Sequence, residues 1–329
     1  MTFTDNHFKI LTRLADDCFH SGSKLSAELG LSRSAIWKYC QSFSELGLEV
    51  NAVRGKGYRL NRSLDLLSAP QIKKNLTPAV LSSLSALDIY PQISSTNDYL
   101  LDAMKLSPQS GHVCFAESQT KGRGRRGRDW VSPFGSNIYL SLSWVFQQGF
   151  SSLSGLSLAI GVAIIRALTE LGVDNMGLKW PNDIYWHDKK LGGILIEISG
   201  ESSGECTAII GLGLNLYLPE KETGLITQPW VDLEKIMPSM RYSRNGLSAL
   251  LLNHLLPIVT DFETKTFKHY LTEWRDYDCM RGREVTIYRG KQQFEGTIVG
   301  IDDTGMLLLK ELSGLITPFA SGEVSFRQT

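Results

Sequence analysis

Hydrophobic periodicity changes character twice along the 329 residues, and no single motif restricts the fold as much. Up to about Arg62 the apolar residues recur at helical spacing. Leu11, Leu14, Ala15 and Cys18 form one stripe, and Ile36, Cys40 and Phe43 form another. Ser23 is expected to cap a short helix that Gly30 ends, and Ser32 to cap the next. Two helices joined by a Gly-containing turn predict a helix-turn-helix. Residues 48–53, the basic turn Arg54-Gly55-Lys56-Gly57 and residues 58–60 then predict a hairpin wing.

From about residue 81 the pattern becomes alternating. Strands are expected at 87–93, 112–118, 137–144, 177–180, 183–186, 193–198 and 207–215. Helices are expected at 95–104, where Ser95-Thr96 would cap, at 153–171, and in a helix-rich stretch at 247–274. This order predicts an α+β unit with a mixed sheet and helices on one side. Residues 137–144 alternate apolar and polar side chains, which predicts a strand with one face buried. From about Arg281 five short strands (284–288, 293–301, 306–309, 316–319, 324–327) are spaced by Gly or Asp turns, the pattern of a small β-barrel. About 50 residues make little core alone, so this tail should pack on the middle unit. The expected divisions are 1–65, 66–276 and 277–329, with a linker and short helix at 63–80.

Lys plus Arg equals Asp plus Glu at 34 each, so any nucleic-acid surface must be local. Residues 1–65 hold nine basic and seven acidic side chains, but four of the nine lie between Arg54 and Arg62. Ser32, Arg33, Ser34, Trp37 and Lys38 stand at the start of the second helix, away from its apolar stripe. With Arg54 and Lys56 of the wing they are the candidate DNA contacts. A helical docking module with a solvated face is the other reading. The five scattered cysteines include no C-x-x-C pair and no zinc-ligand spacing, and are expected to be small buried hydrophobes in a reducing compartment. No signal-peptide pattern and no membrane-length apolar run is present, so a cytoplasmic protein is expected.

Between Lys121 and Trp130 four arginines alternate with three glycines. Glycine brings backbone N–H groups close to an anion, and guanidinium adds a planar fork of donors. Gly122, Gly124 and Gly127 spell G-x-G-x-x-G, but Pro133 and Gly135 follow where a dinucleotide fold needs a helix. No Asp or Glu occurs from Trp130 to Thr169. A ligand-anion loop and a solvated nucleic-acid patch both fit. Farther on, Lys179-Trp180-Pro181-Asn182-Asp183 ends a strand and turns the chain before Lys190-Leu191-Gly192-Gly193 opens another. Lys190 stands on the shoulder of this expected hairpin, a position that also suits an ordinary exposed lysine.

Ser95-Thr96-Asn97, Gly122-Arg-Gly-Arg-Arg-Gly127, Lys179-Trp-Pro-Asn-Asp183, Lys190-Leu-Gly-Gly193 and Gly211-Leu-Gly-Leu-Asn215 follow in order over about 120 residues. Together they resemble biotin protein ligases, and with both flanks the bifunctional type that is also a biotin-operon repressor. The resemblance implies a winged helix, a ligase domain like that of class II synthetases, and an SH3-like barrel. It implies ATP and biotin as substrates, Mg2+ with the ATP, and biotinyl-5'-AMP as intermediate. The partners implied are the biotin carboxyl carrier protein of acetyl-CoA carboxylase, biotin operator DNA, and a second copy of the chain when adenylate is bound.

By the same resemblance, Ser95, Thr96, Asn97 and Gln119 contact biotin, with Gly193 and Asn215 in the same pocket. Arg123, Gly124 and Arg125 fold over the ligand and hold its phosphate. Lys190 and Arg125 are the catalytic cations. Asp183 assists either metal positioning or the incoming acceptor lysine. Trp230 and Arg327 are assigned to ATP. The chain departs from the family pattern at Asp129, where a basic residue is usual. A lipoate-type ligase and a ligand-sensing transcription factor without catalysis are the alternatives.

Overall fold

The computed structural model describes residues 3–200, 203–239 and 242–326. Three helices, α1 (Asp5–Leu14), α2 (Gly22–Leu29) and α3 (Arg33–Ser42), lead into a hairpin of β1 (Val50–Val53) and β2 (Gly57–Leu60). Ser32 caps α3, its hydroxyl accepting from the Ala35 N–H at 3.2 Å, and Gly30 ends α2 in the left-handed region at φ 65°. Ser21, rather than Ser23, caps α2, because His20 is fixed in extended backbone by its pairing with Tyr58. That pairing adds a single bridge at the edge of the two-stranded wing. It also requires glycine at 57, where a Cβ would fall 2.0 Å from the His20 carbonyl oxygen. Ile10, Leu11, Leu14, Leu25, Ile36, Phe43 and Leu60 fill this unit's core, and one residue from far along the chain, Phe134, joins them.

The linker carries α4 (Ala69–Lys74) and α5 (Pro78–Ser83). Next come β3 (Ala86–Tyr90), α6 (Thr96–Leu106), β4 (His112–Ala116), β5 (Ile138–Phe146), α7 (Leu156–Glu170), β6 (Met176–Lys179), β7 (Asp183–Trp186), β8 (Lys189–Gly200) and β9 (Cys206–Leu214). Two short helices, α8 (Glu220–Thr223) and α9 (Leu233–Ile236), precede α10 (Arg244–Lys265) and α11 (Leu271–Asp276). The seven strands form one mixed sheet in the order β3-β4-β5-β9-β8-β7-β6, in which only β3 and β4 run parallel.

Helices cover both faces, not one. Val113, Phe115, Leu140 and Ile210 pack with α7 and α10, whereas Cys114 and Ile209 point the other way onto Leu100 and Met104 of α6. The strand expected to have one wet face is therefore buried on both. Asn137, Tyr139, Ser141 and Ser143 are at most 1% exposed, and each hydrogen-bonds inside the protein. Cys40, Cys114 and Cys206 are buried as expected, but Cys18 is exposed.

The tail strands β10 (Glu284–Arg289), β11 (Gln292–Ile301), β12 (Leu307–Glu311), β13 (Ile316–Phe319) and β14 (Glu323–Phe326) form an antiparallel sheet in the order β13-β12-β11-β10-β14. Its Val285, Ile287, Ile298, Leu307, Leu309 and Phe319 belong to the same continuous core as the seven-stranded sheet. Trp180 donates its indole N–H to the Gly305 carbonyl at 2.9 Å, which ties the tail beside the Pro181 turn.

The winged unit is fastened to the body by a polar strap. Arg244, 5% exposed, pairs with the 1%-exposed Glu117 at 2.7 Å and donates to the carbonyls of Asp65 and Asn137. Asn245 donates to Asp65 and to the Leu66 carbonyl, and the Leu67 N–H donates to Glu117. No helix among the described residues is long and apolar enough to cross a membrane.

Candidate active site

A cavity of about 870 Å³ opens between the seven-stranded sheet, the glycine-arginine loop and the end of the tail. Ser95 caps α6 and is buried, as are Thr96 and Asn97 in its first turn. Gln119 accepts from both the backbone N–H and the hydroxyl of Thr96, at 2.9 and 3.2 Å. Ser141, rising from β5 beneath them, donates at 2.7 Å to the Thr96 hydroxyl and at 2.6 Å to Asn97 Oδ1. This end of the cavity is a nest of hydroxyl and amide groups already oriented by one another.

The glycine-arginine loop is a closed hairpin. The Trp130 N–H donates to the Gly122 carbonyl at 2.9 Å and the Gly124 N–H to Arg128 at 2.7 Å, around a 3-10 turn at Arg125–Gly127. Arg126 (φ 57°) and Gly127 (φ 71°) both turn left-handed, which a glycine adopts freely and an arginine does not. The Trp130 ring folds onto the sheet so closely that a Cβ on Gly213 would lie 2.3 Å from it.

Arg123 is gripped by two carboxylates. Its Nη1 lies 2.6 Å from Asp98 Oδ1, and its Nη2 donates to both Glu197 oxygens at 2.9 Å. Burial alone would lower its pKa, but the hydrogen bonds to Glu197 and Asp98 raise it above the ordinary value. Arg125 is in a different state. It donates to Asn182 Oδ1 at 3.3 Å, and burial together with the neighbouring Arg126 pulls its pKa down against the pull of Asp183.

Across from it, Lys190 Nζ sits 2.8 Å from Asp183 Oδ1, with both side chains less than a fifth exposed. Lys190 belongs to β8 itself and not to the turn, which is at His187 and Asp188. Arg125 and Lys190 thus reach two adjacent residues, Asn182 and Asp183. Asn182 is held there by its own bond to the Ile194 carbonyl at 2.7 Å. Lys179 lines the same end, its pKa lowered by burial despite Asp183.

Gly193 lines the cavity beside Lys190, and Asn215 donates to the Val231 carbonyl at 3.2 Å. Trp230 lines it as well, because the Lys190 N–H donates to Pro229 and Val231 donates back to Lys190. The Lys235 ammonium stands 3.6 Å from the Trp230 ring centroid. Among the candidate residues named from the sequence, Ser95, Thr96, Asn97, Gln119, Arg123, Gly124, Arg125, Asp183, Lys190, Gly193, Asn215 and Trp230 all line this one cavity. Arg327 lies outside the described residues. Ser32, Arg33, Ser34, Trp37, Lys38, Arg54 and Lys56 are elsewhere, all exposed on α3 and the wing.

Hydroxyl and amide groups, glycine backbone with an indole, and a group of cationic side chains line one cavity, which suits a molecule with neutral polar, apolar and anionic parts. Residues 89–215 match the Biotin/lipoate A/B protein ligase family, residues 282–327 the Biotin protein ligase C terminal domain, and residues 6–59 an HTH domain. The Bifunctional ligase/repressor BirA of Escherichia coli (strain K12) is 40% identical over 97% of this chain and 96% of its own length. The chain belongs to the biotin protein ligase family. The Bifunctional ligase/repressor BirA of Bacillus subtilis (strain 168) is 30% identical over 90% of this chain and 91% of its own. The solved biotin protein ligase from Aquifex aeolicus in complex with biotin and ATP superposes with a TM-score of 0.62 at 26% identity. That match covers 75% of this chain and all of the other.

Reading the sequence assigned no role to several groups that shape this ligase site. Ser141 was expected on a wet face. Trp130 only closed the glycine-arginine stretch, and Glu197 had no assigned part. A carboxylate inside an otherwise apolar strand was the available signal for Glu197, since such a charge needs a partner.

Proposed function

We propose that this protein is an ATP-dependent biotin protein ligase that also represses transcription as a DNA-bound dimer. The biotin carboxylate attacks the α-phosphate of ATP, pyrophosphate leaves, and biotinyl-5'-AMP remains. A lysine amine of a biotin carboxyl carrier protein then attacks the acyl carbon, AMP departs, and an amide is left on the carrier. Both halves develop negative charge on oxygens, so positioning and cationic stabilisation do most of the work. The single observation that carries this reading is the meeting of Arg125 and Lys190 on the Asn182-Asp183 turn, with the hydroxyl-amide nest at the other end of the same cavity.

In this reading Ser95, Thr96, Asn97 and Gln119 take the ureido ring, with Gly193 and Asn215 shaping the pocket around the acyl chain. Lys190 and Arg125 flank the carboxylate and α-phosphate, and Trp230 stacks on adenine. Asp183 pairs with the Lys190 ammonium and lines the same cavity. Among the described residues no three His, Cys, Asp or Glu side chains converge as a metal cage. Mg2+ would come in on ATP, with phosphate oxygens and water for most of its shell. The exposed row Arg33, Ser34, Trp37 and Lys38, with Arg54 and Lys56 on the wing, supports major-groove reading with phosphate anchoring. A dimer of the adenylate-bound form would present two such units to a two-fold operator.

The test is incubation with ATP and a biotin carrier domain, offering biotin in one arm and lipoate in the other, followed by mass measurement of the carrier. Biotin transfer is expected. Transfer of lipoate alone, or no transfer with intact ligand binding, would overturn the assignment in favour of a lipoate ligase or a non-catalytic sensor. A related expectation concerns Gly122, where a Cβ would fall 2.7 Å from the Ser132 hydroxyl and 2.8 Å from the Trp130 carbonyl oxygen. Gly122→Ser should speed release of biotinyl-5'-AMP about tenfold, because strain of 1–3 kcal/mol is typical when a packed site is overfilled. An unchanged release rate in a chase experiment would remove the loop from the account.

A further inference from the structure

Two arginines of one loop have opposite surroundings, and this separates their roles. Arg125 faces a neutral amide and open cavity. Arg123 faces Asp98 on α6 and Glu197 on β8, at 2.6 and 2.9 Å. Two carboxylates against one guanidinium leave no net positive charge at that point for a phosphate. Glu197 is shared further, since its Oε2 also accepts from Asn97 Nδ2 at 2.7 Å. Asn97 in turn receives the Ser141 hydroxyl, the same group that donates to Thr96.

We propose that Glu197 is a positioning residue, with Asp98 clamping Arg123 as the fixed post of the glycine-arginine loop, so that Arg123 acts through this clamp and not as a phosphate ligand. The geometry has two consequences. The loop hairpin is pinned at its base, two residues before Arg125, which sets where the second guanidinium falls over the cavity. The same carboxylate also orients the Asn97 amide in the nest, so the two ends of the ligand site share one anchor. A planar fork bridging two carboxylates fixes direction as well as distance, which a mobile single pair does not.

The inference rests on the ligase reading only for the choice of probe. The experiment is a chase of bound biotinyl-5'-AMP from the full-length protein, comparing wild type, Arg123→Gln, Glu197→Gln and the double variant. Each single change is expected to speed release about tenfold, and the double variant to match either single one within about twofold, because partners in one network do not add. Steady-state kinetics should show KM for biotin rising more than kcat falls. Glu197→Ala should be worse than Glu197→Gln, which keeps a hydrogen-bonding partner for Asn97. Melting without ligand separates a folding defect from a misplaced loop.

Additive losses, or a much larger loss from Arg123→Gln than from Glu197→Gln, would make Arg123 a direct ligand of the phosphate and overturn the clamp. Wild-type release in Glu197→Gln would overturn it equally. If the wild type itself holds no adenylate, the failure belongs to the ligase reading. The clamp is then tested on the apoprotein, where Arg123→Gln and Glu197→Gln should increase hydrogen exchange at residues 122–130 to the same extent. Unequal or absent increases there would also overturn it.

Discussion

Arg244→Met will destabilise the folded protein by about 3–5 kcal/mol, the usual consequence of removing one partner from a buried ion pair. Methionine keeps the length and apolar stem of the side chain, so little of the effect will come from lost packing. What is lost is the partner of Glu117, a carboxylate with 1% exposure, together with the donors to the Asp65 and Asn137 carbonyls. Marginal stability of about 5–15 kcal/mol makes such a loss a large fraction of the whole. Equilibrium unfolding in denaturant measures it. The double variant Arg244→Met/Glu117→Gln should recover part of the loss, since the stranded charge is gone. Because the strap holds residues 65–68, proteolysis near the linker should accelerate in the single variant, releasing the winged unit. A change under about 1 kcal/mol, the range of exposed ion pairs, would show that this pair is solvated in solution.

This strap marks where reading the sequence stops. The helix-turn-helix was legible because its signals are local: Ser32 and Gly30 set helix ends within a few residues, and the Arg54–Gly57 turn sets the wing. Lys190 was legible as part of a short hairpin with the strand that Asp183 opens, but nothing local announced that their side chains would pair. Glu117 and Arg244 are 127 positions apart, and nothing in either neighbourhood announces the other. Phe134 is similar. It stands four residues beyond Trp130 in a loop with turn signals, yet its ring is 2% exposed in the core of the winged unit, stacked on Phe3. Strand β5 failed for a related reason. Alternation predicts which side chains share a face, but not whether another helix will cover the polar one. When α6 covers it, Ser141 becomes part of the ligand nest instead of meeting water.

Lys190→Met is expected to slow adenylate formation by about a hundred- to a thousandfold, the scale seen when one preorganised stabilising group is removed from a dry site. The ammonium is less than a fifth exposed and lies 2.8 Å from one carboxylate oxygen of Asp183, which places its charge at the cavity. Charge developing on the biotin carboxylate and α-phosphate oxygens will meet it without reorganisation, which is why its removal should act on kcat more than on biotin binding. ATP–pyrophosphate exchange measures the first half-reaction directly, and titration with biotin alone measures ground-state binding. Removing the cation also strands Asp183, so Lys190→Met/Asp183→Asn is the needed companion. If the loss came only from that stranded carboxylate, the double variant would regain most of the activity. It is expected to stay slow. Lys190→Arg should be only partly active, since a planar fork cannot occupy the position of a compact ammonium packed against Gly193 and Trp130. Exchange in Lys190→Met within tenfold of wild type would move the chemistry away from this amine and leave Arg125 to carry it.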